Sequence, residues 1–296
     1  VGIQDSAPDI VARRAAEVKN PPTFTDYKRM LMELRPDFVV ALGRHSQMAA
    51  IANDLLDAGY PFLMEKPMGL NAAQLEPVAE KAAKRNAFIA VPLAQRYAPF
   101  ARRARELMAA GRIGPLSHIY VRIIRPGPAR YRAWDCPWMF DPAESGGGCL
   151  RNLGSHGLDM FLHLTGEDAS VTGAQLSHRA HALPVEDYAS VTLRSQSGVL
   201  GTIEVGNGFP RDGTDGEWKL AGRDGILTMK DGVLKLATAA GDEVLPGTDV
   251  TTPYFTTLRD ALDHWQQGKA PPIGVQDCLR AVRLIDQAYA SAKKVG

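Results

Sequence analysis

Tyr60-Pro61-Phe62-Leu63-Met64-Glu65-Lys66-Pro67-Met68-Gly69-Leu70 decides how this chain is read. Its first part is apolar and strand-sized, and its second part sets an acid, a lysine and a chain-stiffening proline just past a buried strand. Open parallel α/β sheets gather their ligands at that end of their strands. A lysine fixed there can donate or accept a proton, or neutralise an alkoxide. The Glu-Lys-Pro tripeptide is also common by chance, so its meaning depends on its surroundings.

Working outward, Phe38-Val39-Val40-Ala41-Leu42 reads as another buried strand. Residues 48–58 carry helical apolar spacing at Ile51, Leu55 and Leu56 and stop at Gly59. Asn71 with Gln74 three residues on predicts a capping box and a helix to Arg85, which Pro77 should bend or delay. Residues 87–91 are a third strand. Beyond residue 96 the rhythm changes: a basic amphipathic helix over 99–110 precedes strand-like alternation at 116–125, 169–177, 188–195, 199–205, 217–221 and 226–230. Helical patterns at 254–267 and 275–293 close the chain. The expected fold class is α/β. A Rossmann-type parallel-sheet domain over 1–95 is followed by an α+β domain over 96–296 with a large, mostly antiparallel open sheet.

Composition narrows the function classes. The 296 residues are 45% hydrophobic, and 34 basic against 33 acidic side chains leave a net charge of +1. No global field points to nucleic acid or to an anionic membrane. Apolar runs are strand-sized, so no membrane span is expected. Cys136, Cys149 and Cys278 are few, odd in number and far apart, which fits reduced cytoplasmic thiols and no metal knuckle.

A second polar constellation comes after Ser145-Gly146-Gly147-Gly148-Cys149-Leu150, in a segment that reads as a helix running to Leu164. Asn152, His156, Asp159 and His163 are spaced four, three and four apart and so share one helix face. Such a stripe is either a solvated face or the lining of a cavity in which His156 carries protons near neutral pH. Metal binding would need Asn152 as a weak ligand with no thiolate nearby, and is not expected.

Taken in order, the strand before Ala58-Gly59, Glu65-Lys66-Pro67, Gln95-Arg96-Tyr97, Gly111-Arg112-Ile113-Gly114 and Ser145 to Gly148 with Asn152, Gly154, His156 and Asp159 resemble the glucose-fructose oxidoreductase/inositol dehydrogenase (Gfo/Idh/MocA) family. The resemblance covers essentially the whole chain. It implies a dehydrogenase that uses NAD or NADP and acts on a hydroxyl of a sugar, polyol or sugar acid, working as a homo-oligomer, dimer or tetramer. It carries the catalytic roles to Lys66 and His156, with Asn152 beside them. His156 would act as base while Lys66 steadies the developing alkoxide. Cofactor contacts would fall to Asp5, Leu42, Gly43, Arg44, Glu65, Lys66, Gln95 and Arg96. Substrate contacts would fall to Lys66, Arg96, Arg125, Trp134, Asn152 and His156.

Three departures bear on this. Many members carry Asp where this chain has Asn152, which orients a hydroxyl but exchanges no proton. After the strand ending at Leu42 the chain reads Gly43-Arg44-His45 instead of the usual Pro and then His, and Arg44 is free to pair with a cofactor phosphate or with solvent. The glycine-rich first turn is not in the sequence, and roughly 30 residues of a first βαβ unit are expected upstream of Val1. If Asp5 ends the second strand it would hold the adenosine ribose and favour NAD over NADP; the other reading is that it simply caps a turn. Arg125, Arg130, Tyr131, Arg132, Trp134 and Trp138 crowd one loop, where guanidinium and indole groups suit an acidic or phosphorylated sugar. A non-catalytic dinucleotide and sugar sensor of the same fold stays open as the alternative.

Overall fold

Parallel strands and helices alternate through the first part of the chain in a computed structural model that describes residues 1–247 and 252–295. β1 (Ile3–Gln4), α1 (Pro8–Glu17) and β2 (Thr23–Phe24) form one parallel pair. After α2 (Tyr27–Leu34) come β3 (Val39–Ala41), α3 (His45–Ala58), β4 (Phe62–Met64), α4 (Ala72–Arg85) and β5 (Ile89–Ala90), with the three strands parallel in that order. Local chemistry sets the helix starts. Asp26 accepts the N–H groups of Lys28 and Arg29 at the head of α2, and Asn71 accepts that of Gln74 at the head of α4. The Gln74 side chain reaches back to the N–H of Leu70, one residue before the cap. Pro77 is held inside α4, where Leu75 and Val78 on either side are fully buried.

The rest of the chain builds one sheet. In order come α5 (Pro99–Ala109), β6 (Leu116–Pro126), α6 (Ala129–Ala133), α7 (Pro142–Ser145), α8 (Ser155–Thr165), β7 (Ala169–Ser177), β8 (Tyr188–Ser195), β9 (Leu200–Phe209), β10 (Asp215–Gly222), β11 (Gly225–Lys230), β12 (Val233–Thr238) and β13 (Gly241–Leu245). α9 (Pro253–Gln266), α10 (Val275–Ser291) and β14 (Lys293–Val295) complete the described residues. The strand order is β13-β12-β11-β10-β6-β9-β8-β7-β14, antiparallel except for β6 beside β9 and β7 beside β14. The pairing register puts Tyr188, Leu200, Ile226, Val233 and Val244 on one open face, while Val121, Val191, Ile203, Leu220 and Leu236 face the core under α8 and α10.

α10 ties the two sheets together. Cys278, Leu279 and Val282 pack with Phe62, Met64 and Leu75, whereas Leu284, Ile285 and Ala288 pack with Phe161 and Leu162. Each such aliphatic side chain contributes roughly 1.5–3 kcal/mol when fully buried. The carboxyl ends of β3 and β4 are thereby held against the start of α8. No helix among the described residues is long and apolar enough to cross a membrane, and no group of three metal-ligating side chains occurs among them.

Candidate active site

Glu65 and Lys66 leave the end of β4, and Lys66 runs into the protein with only 6% of its surface exposed. Its Nζ donates to the backbone carbonyl of Asn152 at 2.7 Å and to Asn152 Oδ1 at 2.6 Å. An ammonium has three N–H directions, and these two bonds leave one for a ligand. Asn152 Nδ2 donates in turn to the Tyr131 hydroxyl at 2.9 Å, and Ser155 Oγ donates to the Asn152 carbonyl. Both ends of the amide are therefore engaged, and its oxygen is fixed toward Lys66. Tyr131 was in the loop expected near substrate, but nothing in the sequence pointed to this contact.

The helix expected from Ser145 onward is broken up. α7 ends at Ser145, Gly146 to Gly148 make a tight turn, residues Leu150–Gly154 form a π-helical turn, and α8 starts only at Ser155. A Cβ on Gly147 would meet the Tyr289 hydroxyl, and one on Gly148 would meet the backbone of Glu186. The Glu186 carboxylate accepts the N–H groups of Gly148 and Leu150 at 2.9 Å and the Tyr289 hydroxyl at 2.8 Å. The glycine turn is thus filled by the protein's own carboxylate. Glu186 comes from the loop before β8, and its sequence surroundings carry no sign of this role.

The four polar residues that looked like one helical stripe divide between two neighbourhoods. Asn152 bonds Lys66, and the Lys66 charge acts on His156. Asp159 instead accepts a bidentate pair from Arg96, at 2.9 Å and 2.6 Å, and Arg96 also holds Asp277 at 2.9 Å. Burial opposes the Arg96 charge, but the two carboxylates hold its pKa above the ordinary value. Nε and Nη2 of Arg96, expected near cofactor and substrate, are taken by protein carboxylates that join the turn at Ala94–Tyr97 to α8 and α10. Gln95 lies half-buried in that same turn. His163 is shifted down to about 4 by burial and by Arg96 and Arg105.

His156 is buried, and its Nδ1 has no hydrogen-bond partner among the described residues. Burial first, then the charges of Lys66 and Arg125, lower its pKa to about 3. Each of these causes favours the neutral imidazole, whereas a base poised near neutral pH was expected. Lys66 is lowered as well, chiefly by burial, and Glu65 is raised to about 6 by burial.

Around this centre, Leu42 and Gly43 follow β3, with Leu42 70% exposed. Arg44 is solvent-facing, 3.8 Å from Glu144. His45 was not among the expected site residues, although Arg44-His45 stood where the family pattern has its His. It is buried at the head of α3, donates from Nδ1 to the Ser145 carbonyl at 2.7 Å and meets Trp138 edge-on at 5.0 Å. Asp5 follows β1 and accepts the N–H of Ala7 at 2.9 Å. Arg125 falls in the irregularity of β6 between Ile124 and Pro126, and Trp134 is 54% exposed and meets Tyr131 edge-on.

Comparison with known proteins fits this geometry. Residues 1–92 match the oxidoreductase family described as NAD-binding Rossmann fold, and residues 101–228 match the GFO/IDH/MocA C-terminal domain. The chain belongs to the GFO/IDH/MocA oxidoreductase family. Cattle (Bos taurus) trans-1,2-dihydrobenzene-1,2-diol dehydrogenase is 30% identical over a match spanning 62% of this chain and 52% of that protein. The scyllo-inositol 2-dehydrogenase (NADP(+)) IolW of Bacillus subtilis is 25% identical, over 96% of this chain and 86% of that one. Among solved structures, the oxidoreductase domain protein from Kribbella flavida superposes with a TM-score of 0.86 at 21% identity, covering 98% of this chain and 87% of that one. Levoglucosan dehydrogenase in complex with NADH and levoglucosan gives 0.85 at 18%, again over 98% and 87%. The chain is thus an oxidoreductase-family protein with an NAD-binding fold, and the sheets described above are those of the family.

Two buried histidines and one half-buried one give the folded family member an expected acid profile. His45, His156 and His163 are lowered to about 3, 3 and 4 from 6.5, so an unfolded chain takes up protons below pH 6.5 that the folded one refuses. Stability is full above that pH and falls as pH drops toward 3. Glu65, raised to about 6 from 4.5, contributes the opposite slope between those values, one proton against three. Thermal melts are expected to shift down steadily from about pH 7 to about pH 5, and a flat profile would contradict neutral buried imidazoles.

Proposed function

We propose that the protein oxidises a secondary hydroxyl of a sugar, polyol or sugar acid, or reduces the corresponding carbonyl, with NAD as the favoured nucleotide. The observation that carries this reading is the Lys66–Asn152 contact, in which a buried ammonium just past β4 meets the π-helical turn that leads into α8 with one donor direction to spare. The residues present suit a nicotinamide group: an exposed apolar shelf at Leu42, the carboxyl ends of β3 and β4, and a buried ring nitrogen on His156 that lacks a partner. When bound, the nucleotide supplies the hydride acceptor.

In the balanced reaction the carbinol C–H pair leaves as hydride and the O–H proton leaves to a base, giving carbonyl, reduced nucleotide and one proton. Lys66 is assigned the proton. Burial brings its neutral form within reach, and as ammonium it then holds the carbonyl oxygen. His156, neutral, orients a neighbouring hydroxyl, and Asn152 aims Lys66. Asp5, at the end of β1, is assigned the adenosine ribose. The open sheet face bearing Tyr188 and Leu200 is assigned a contact between copies, which light scattering checks.

Hydride transfer is tested by nicotinamide absorbance with NAD and with NADP over a panel of polyols, sugars and uronates. Turnover lost in Lys66→Met supports the reading. Nucleotide binding without turnover on the whole panel supports the sensor instead. Tyr131→Phe is expected to lower kcat about tenfold with nucleotide KM unchanged, because the Asn152 amide loses the acceptor that fixes its orientation. An unchanged kcat removes Tyr131 from the site.

A further inference from the structure

Elsewhere in this protein a cation that is withdrawn from water has a carboxylate beside it. Arg96 has Asp159 and Asp277, Arg151 has Asp286 at 2.8 Å, and Arg122 has Asp215 and Glu217. Lys66, the Arg130 linked to it through Asn152 and Tyr131, and Arg125, whose charge acts on Arg130, depart from that pattern. Lys66 bonds only the neutral oxygens of Asn152. Arg130, half-buried, spends its donors on the carbonyls of Pro126 and Gly127, on the Tyr131 hydroxyl at 2.9 Å and on Asn207 Oδ1 at 2.7 Å, all neutral acceptors. Arg125, also half-buried, has neither a hydrogen bond nor an ion pair among the described residues. The acid whose charge acts on Lys66 is its chain neighbour Glu65, which forms no ion pair among them.

Arg125 owes its position to β6. Its neighbours Ile124 and Pro126 pair with Gly206 and Phe209 of β9, and the register slips between them. The extra residue is on β9, so Asn207 and Gly208 lie opposite Arg125, and irregularities of this kind are common beside active sites. The Arg125 charge is felt at His156, at Arg130 and at Tyr254, at the start of α9. Among the described residues none of these three like charges is ion-paired, and like charges repel one another, an arrangement that a bound anion relieves.

We infer that the substrate carries a carboxylate, seated on the unpaired guanidinium of Arg125, with its reacting hydroxyl at Lys66 and His156. The inference rests on the dehydrogenase reading and narrows it to hydroxy acids of the aldonate or uronate kind. A carboxylate suits the site better than a phosphate. One free guanidinium fork matches one planar carboxylate, whereas a phosphate also favours a backbone nest, and the nearby glycine turn is filled by Glu186. A negative charge arriving at Arg125 would also offset part of the field that suppresses the basicity of His156.

The test compares matched pairs, D-glucose with D-glucuronate and D-galactose with D-galacturonate, plus glucose 6-phosphate, on the full-length protein with NAD and with NADP. The acid of a pair is expected to be favoured in kcat/KM by about 30-fold or more. Arg125→Gln is expected to collapse that ratio toward one by raising KM for the acid, and Arg125→Lys to restore part of it. Neutral sugars turned over as well as their acids, or a preference for the phosphate, overturn the carboxylate inference and leave the dehydrogenase reading standing. Absence of turnover on every compound overturns the dehydrogenase reading. Calorimetric titration of D-glucuronate and D-galacturonate into the NADH-loaded protein then decides the carboxylate question alone, since binding of either that Arg125→Gln weakens supports it and binding of neither overturns it.

Discussion

Lys66→Met is expected to abolish hydride transfer by about a thousandfold or more and to leave the protein folded. The lysine stem and the methionine side chain fill similar space, so the pocket between β4 and α8 keeps its shape. The substitution removes the one group placed to exchange a proton with the reacting oxygen and to hold charge on it, and each of those roles typically accounts for about two to three orders of magnitude. Ser155 still covers the Asn152 carbonyl, so only Oδ1 loses its donor, and stability should move by no more than about 2 kcal/mol. Single-turnover nucleotide reduction and a thermal melt on the same sample separate the two effects. Wild-type turnover in the variant would remove Lys66 from the chemistry.

The largest loss of stability is expected from Arg96→Met. It strands the Asp159 carboxylate, which is buried and takes two bonds from Arg96, and it frees Asp277. Breaking a buried pair from one side costs about 3–5 kcal/mol, because the remaining charge cannot be rehydrated. For a chain of this size the melting temperature should fall by on the order of 10 °C. Nucleotide and substrate KM should change little in the folded protein. A raised KM with an unchanged melting temperature would return Arg96 to the ligand role that its place beside Gln95 and Tyr97 had suggested.

That pair of residues shows what the sequence could and could not reveal. Lys66 was legible because a strand end, a proline and the family pattern coincide on it. The carboxylate partners of Arg96 were not legible because they lie far along the chain, at Asp159 and Asp277, and pairing across such distances leaves no local trace. The same limit applies to the fold. Residues 169–177 and 188–195 were read to their ends, since hydrophobic alternation over a half-covered sheet is strong there. β12 and β13 were missed: between them the chain turns at Ala239-Ala240-Gly241, without the Asn-Gly or Asp-Gly pair that marks tight hairpins, and β13 is mostly exposed. β1 and β2 are two residues long, too short for a periodicity to register.

The helix stripe at 152, 156, 159 and 163 failed for a geometric reason. The π-helical turn at Leu150–Gly154 shifts Asn152 against the three residues of α8, and along α8 itself the partners change, with Asn152 bonded to Lys66 and Asp159 to Arg96. The basicity of His156 was equally beyond reach, because burial and the charges of Lys66 and Arg125 come from three separate segments.

The central claim is that Lys66 from the first sheet and His156 from the second share one hydride-transfer site. A crystal structure of the full-length protein with nicotinamide nucleotide and a sugar acid bound tests it most directly. The account predicts the nicotinamide ring at the carboxyl ends of β3 and β4, with the reacting substrate oxygen within about 3 Å of Lys66 Nζ and beside His156. A nicotinamide ring bound elsewhere, with Lys66 and His156 closed off from both ligands, would contradict it.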